Sequence, residues 1–126
     1  MTPQEVAARA AEAVRSLNHA TGIGVAHVDV TDLYDLLGEL ALMTNRLPQL
    51  LRQIEDLLDT LVEDDQVAVV DGPNTGDPAA VAAIVGHWLA ASAGSAHELA
   101  RHVDQAHEIL AHAAVTDPTG HRPSSS

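Results

Sequence analysis

Between Leu33 and Leu61 apolar side chains recur at alternating spacings of four and three: Leu33, Leu37, Leu40, Thr44, Leu47, Leu51, Ile54, Leu58 and Leu61. That rhythm marks one face of an α-helix. Pro48 stands in its middle. A proline removes a main-chain donor and usually ends a helix. Here the phase is the same on both sides of the proline, and a break would have no reason to preserve it. The pattern predicts one long helix over about 32–63, kinked near Pro48. The competing reading is two helices joined by a tight turn at 44–47, with Pro48 opening the second.

The same segment carries a second seam, Leu36, Leu40, Met43, Leu47, Leu50, Ile54, Leu57 and Leu61. The two merge into an apolar face wider than a single coiled-coil seam requires. Asp29 or Thr31 can cap this helix, and the acids Asp59, Glu63, Asp64 and Asp65 close it. Upstream, Thr2, Pro3 and Glu5 form a capping-box start. The stripe of Val6, Ala10, Ala13, Val14 and Leu17 then predicts a short helix over 3–17. Residues 18–30, with Gly22 and Gly24, read as a connection.

Downstream, QVAVV at 66–70 has strand character and DGPNTGDP reads as a loop. Asp77 and Pro78 begin a third helix, expected over 78–115. Its seam reads Val85, Leu89, Ser92, Ala96, Leu99, Val103, Ala106, Leu110 and Ala113. A ridge of Ala82, Gly86, Ala90 and Gly94 beside it would let another helix approach closely. The tail 116–126 has no apolar content and reads as disordered. The 126 residues suit one domain, 1–115.

Composition narrows the function classes. Eighteen acids against six basic residues give a formal charge of −12. Such a chain is a poor partner for phosphate backbones or anionic membranes. No cysteine is present, which excludes disulfides and thiolate chemistry. With one tyrosine and one tryptophan, nucleobase stacking has little to work with. The N-terminus lacks the apolar core of a secretion signal, so a cytoplasmic location is expected. Residues 78–97 are uncharged and long enough to span a membrane, but alanine, glycine, serine and histidine dilute them. A small-residue packing surface is the better reading.

Eight histidines invite a metal hypothesis. HELARH at 97–102 and HEILAH at 107–112 look like the zinc motif, but each spaces its histidines five apart. A metal-binding helix needs them four apart, on one face. Glu98 with His102, Asp104 with His107 and Glu108 with His112 read instead as exposed neighbour pairs. The GIG at 22–24 lacks a P-loop lysine. Asp71, Asn74 and Asp77 do not make a calcium loop. No nucleophile elbow surrounds any serine. No catalytic, cofactor or metal residues are assigned, and no enzymatic activity is expected. Trp88, the only tryptophan, is either core or an anchor for a partner.

The segments LNHAT at 17–21, DLYDLLGELALMTNRLPQLLRQIEDLL at 32–58 and DGPNTGDPAA at 71–80 resemble small alanine-rich proteins of high-GC actinobacteria such as Streptomyces. The resemblance implies a source and brings no activity or site residues with it.

The expectation is an all-α protein. The second and third helices form a long antiparallel hairpin with coiled-coil-like packing, and the short first helix packs alongside. The first helix is too short to cover the second leucine seam. Part of that seam should therefore stay open as a partner interface: Leu36, Met43, Leu50, Leu57 and Leu61, with Trp88. The function expected is non-enzymatic helical interaction, by self-association as a dimer or as an adaptor for another helical protein. The alternatives are a ligand- or metal-binding bundle with histidines at a subunit interface, and an acidic decoy for a basic nucleic-acid-binding protein.

Overall fold

The computed structural model describes residues 1–22, 24 and 27–113. Three helices follow in order: α1 (Pro3–Ala20), α2 (Val30–Glu63) and α3 (Pro78–Leu110). Each starts on a side-chain cap. The Thr2 hydroxyl accepts from the Glu5 N–H at 3.2 Å while the Glu5 carboxylate accepts from Thr2. Asp29, not Thr31, caps α2, in a reciprocal box with Asp32 at 2.9 and 3.3 Å. Asp77 caps α3 by accepting from Ala80 at 3.1 Å, with Pro78 at the first helical position. These bonds satisfy donors that a helix start otherwise leaves unpaired.

α2 runs unbroken through Pro48, and the chain does not reverse at 44–47. The Thr44 hydroxyl donates to the Leu40 and Ala41 carbonyls at 3.1 Å each, occupying acceptors in the turn before the proline. The helix ends with Asp65 in the left-handed region at φ 57°. Gln66 donates to the Leu61 carbonyl at 2.8 Å and Asp65 to that of Val62 at 3.1 Å, the two bonds of a Schellman close.

Three expectations need correction. The 66–70 segment is not a strand, and no strand occurs among the described residues. A lone β-prone run has no neighbour to complete a ladder. Here it leads into a turn where Gly76 donates to the Val69 carbonyl at 3.0 Å. The first helix extends to Ala20, and it does not pack alongside the hairpin: α1 touches neither α2 nor α3 and buries no residue. Its stripe of valine, alanine and one leucine offers little area to hold it there. The third helix closes at Leu110, short of 115. Residues 114 and 115, like the tail 116–126, lie outside the described residues.

α2 and α3 pack antiparallel. Tyr34, near the start of α2, stacks on His107, near the end of α3, with ring centroids 4.2 Å apart. Glu55, further along α2, meets Gly86 early in α3. The α2 line of contact is Tyr34, Leu37, Ala41, Thr44, Pro48, Leu51, Glu55, Leu58 and Val62. The α3 line is Ala82, Gly86, Leu89, Ala93, Ala96, Ala100, Val103, His107 and Leu110. Every one of these residues is buried or half-buried, and both lines keep the three-four rhythm. The seam therefore keeps Leu37, Thr44, Leu51 and Leu58 of the first leucine seam and replaces the rest with Tyr34, Ala41, Pro48, Glu55 and Val62, each one residue further on. Leu33, Leu40, Leu47, Ile54 and Leu61 are not on it. On α3, Ala82 and Gly86 of the small-residue ridge are buried, whereas Ala90 and Gly94 are exposed.

The buried side chains are small: Ala41, Thr44 and Pro48 from α2, and Ala82, Ala93, Ala96 and Ala100 from α3, beside Gly86. Among the described residues no side chain is completely enclosed.

Candidate functional site

Each residue of an α-helix turns about 100° from the last. In an antiparallel pair, residues one place before each seam position point to the same side on both helices. Residues one place after point to the opposite side. The structure marks the second side directly. Asn45 follows Thr44, Asp104 follows Val103, and the Asn45 amide donates to the Asp104 carboxylate across the pair at 3.0 Å.

On the first side α2 contributes Leu33, Leu36, Leu40, Met43, Leu47, Leu50, Ile54, Leu57 and Leu61. α3 contributes Val81, Val85, Trp88, Ser92, Ser95, Leu99, His102, Ala106 and Ile109. None of these positions holds Asp, Glu, Lys or Arg. The opposite side carries Asp35, Asp56, Asp59, Glu63, Asp104 and Glu108 together with Arg52 and Arg101. The hairpin is thus a layer of two helices with a neutral apolar face and a charged polar one.

The apolar face is open. Thirteen large apolar side chains on α2 and α3 are exposed, and eleven of them lie on it; Leu42 and Ile84 are the two that do not. Leu57 is 62% exposed and Ile109 62%. Contiguous apolar patches of this kind mark interaction surfaces or ligand grooves.

All six residues expected at a partner interface fall on this one face. Met43, Leu50, Leu57, Leu61 and Trp88 are exposed and Leu36 is half-buried. Trp88 is 65% exposed, so the core-packing reading of this residue fails. Its indole meets the His87 ring edge-on at 5.2 Å. Leu33, of the first leucine seam, and Leu40, Leu47 and Ile54, common to both seams, lie on the open face as well. Val85, Leu99 and Ile109 join them from α3. The small residues at 82, 86, 93, 96 and 100 carried the signal: only small side chains permit close approach, so that line had to be the inner one.

The other candidate chemistry is dispersed. Among the described residues no three His, Asp or Glu side chains group to hold a metal ion. His97, His102 and His112 are exposed, and His107 is occupied by its stack on Tyr34. Glu98 holds Arg101 at 2.9 Å and lies 3.8 Å from His102. The Arg101 hydrogen bond and charge keep the Glu98 carboxyl below its ordinary range. All three side chains are mostly solvated, so the cluster is a surface ion pair. In the 71–77 loop, Thr75 donates to the Gly72 carbonyl at 2.7 Å and Asp77 to that of Asn74 at 3.0 Å, which makes it a turn leading into a helix cap. The acids Asp59, Glu63, Asp64 and Asp65 are exposed at the end of α2. α3 is long and apolar enough to cross a membrane by length and composition, with a mean hydropathy of 1.4 over its most apolar stretch. Compared with family models, curated proteins and solved structures, the chain has no match in any of the three.

Proposed function

We propose that this chain is a non-enzymatic helical interaction protein, working in the cytoplasm through the open face of the α2–α3 hairpin. One observation carries the reading: a face lined by both helices, free of charged residues, gathers eleven of their thirteen exposed large apolar side chains. Apolar area of that extent in water is unfavourable unless something covers it. The face has the form of a helix-packing surface, since its residues keep the three-four spacing that lets another helix seat between them.

A membrane is a poorer cover than protein. α3 is paired along its length with α2, whose middle and end carry Arg46, Arg52, Glu55, Asp56 and Asp59. Burying α3 in hydrocarbon would carry those charges with it, at a cost of about 2.5–3.5 kcal/mol for each one near the bilayer centre. The formal charge of −12 further disfavours an anionic headgroup surface.

The test is the double variant Leu50→Glu/Leu57→Glu. Both side chains lie on the open face. If the face serves partners, the variant keeps its helical circular dichroism and, compared with the unmodified chain at a dilution where both are monomeric, loses affinity for a dye that binds exposed apolar surface. If the leucines are ordinary core, the variant unfolds.

A further inference from the structure

We infer that the open face is covered by a second copy of this chain, set face to face about a two-fold axis, so that two hairpins complete one four-helix bundle. This rests on the reading of the face as an interaction surface and names its occupant. Three observations point to the same chain.

The first is length. The α2 row from Leu33 to Leu61 runs about 42 Å at 1.5 Å per residue. α1 is 18 residues, about 27 Å, and cannot cover it. Another hairpin has the same length by construction, and its own uncovered row needs the same service. A two-fold axis satisfies both rows at once, because each copy offers the patch that the other requires.

The second is area. The eleven large side chains on the face are on average about half exposed. Together they present on the order of 1,000 Å² per copy, against roughly 800 Å² per partner in a stable interface of ordinary size. Trp88 supplies an aromatic anchor, the residue type that most often dominates such contacts.

The third is charge. Two copies of a −12 chain repel, yet the acids of the hairpin's polar face lie on the side turned away from the contact. The face itself brings no like charge into contact with its copy. Repulsion then acts only at long range and is screened by salt, which makes the association strengthen with ionic strength, opposite to a complex held by opposite charges.

The experiment is sedimentation of the full chain from 5 to 200 μM in 30 and 300 mM NaCl, with the emission of Trp88 followed in parallel. The expected result is a mass near 26 kDa, twice 13.2 kDa. The dimer is tighter at the higher salt, and tryptophan emission moves to the red as dilution exposes the indole. Leu47→Glu, at the centre of the row, weakens dimerisation by at least about a hundredfold, because the symmetry buries two carboxylates. Leu42→Glu, at an exposed leucine on the polar face, leaves it intact. A 13.2 kDa monomer at 200 μM in 300 mM NaCl, an assembly of more than two chains, or equal loss of dimer in both variants overturns the proposal. If the chain is monomeric but Leu50→Glu/Leu57→Glu stays folded and loses dye binding, the second copy is wrong while the interaction face stands. If that variant unfolds, the face itself is lost.

Discussion

Replacing Ala93 and Ala100 with leucine adds three carbons at each of two buried positions on the α3 line of contact. Ala93 is 4% exposed and Ala100 3%, and the facing α2 segment supplies Ala41, Thr44 and Pro48, all buried. Both methyl groups are already buried against that segment, so an isobutyl group makes the helices separate or leaves its preferred rotamers. Overpacking of this kind costs about 1–3 kcal/mol per site. Helix propensity contributes almost nothing, since leucine and alanine differ little. The two sites are seven residues apart, about 10 Å along the helix, so their effects should nearly add to roughly 2–6 kcal/mol. A hairpin of this size has only about 4–12 kcal/mol to lose. Each single variant should melt about 4–20 °C below the unmodified chain, and the double variant should be largely unfolded at 37 °C. Thermal and urea denaturation by circular dichroism at one fixed protein concentration measures this, with Ala91→Leu on the exposed surface as the control. If Ala93→Leu/Ala100→Leu melts at or above the unmodified chain, the small-residue seam is wrong, and the seam of Val85, Ser92 and Leu99 suggested by periodicity is restored.

Three further outcomes follow from particular residues. Pro48→Ala regains a main-chain donor to the Thr44 carbonyl, worth about 3 kcal/mol in a helix interior, and loses two buried ring carbons worth about 1.6 kcal/mol; the net gain of roughly 1 kcal/mol should appear in urea titrations, and a loss would show that the ring's packing dominates. Gly94→Ala meets nothing within 4 Å and should stabilise by about 0.8–1 kcal/mol, whereas Gly38→Ala should gain less, because its new methyl would sit 3.1 Å from the His107 ring that stacks on Tyr34; equal gains would contradict the stack. Removing residues 1–22, which include all of α1, should leave the melting temperature of the remainder within about 2 °C, because α1 contacts neither other helix; a larger drop would mean that α1 packs against the hairpin in solution.

The helices were legible because their signals are local. Thr2 with Glu5, Asp29, and Asp77 with Pro78 are caps that act within one turn, and the phase of α2 across Pro48 is a property of neighbouring residues. The choice of inner face was not legible in the same way. In α2 two lines share the three-four rhythm and differ by one residue at every other place. One is rich in leucine, and the other holds Ala41, Thr44, Pro48 and Glu55. They have Leu37, Thr44, Leu51 and Leu58 in common, and periodicity weights Leu33, Leu40, Leu47, Ile54 and Leu61 over Tyr34, Ala41, Pro48, Glu55 and Val62 for the remaining places. What decides the matter is the partner helix: α3 offers alanine and glycine on its contact line, and close approach of the two backbones favours small residues on both sides. The detached α1 escaped for a related reason. Its stripe is amphipathic, but amphipathicity states that a face is apolar and not what it lies against.

The inversion of large and small residues has a physical sense. A hairpin of two helices can enclose only the single line between them, and it cannot surround a leucine on all sides. A globular domain needs at least two packed layers before its large apolar side chains are out of water. α2 carries apolar residues both toward α3 and toward the open side, the pattern of a helix meant to be contacted from two directions. Spending the inner line on alanine, glycine and threonine brings the two backbones close and leaves the leucines aligned along one surface. The polar face cannot serve as a second contact surface, since it bears most of the hairpin's charged groups and the solvated Asn45–Asp104 pair. We therefore propose the hairpin as one layer of a two-layer structure. The covering layer proposed for it is helical, about as long as α2 and apolar on the side it presents, and a second copy of the same hairpin meets all three conditions.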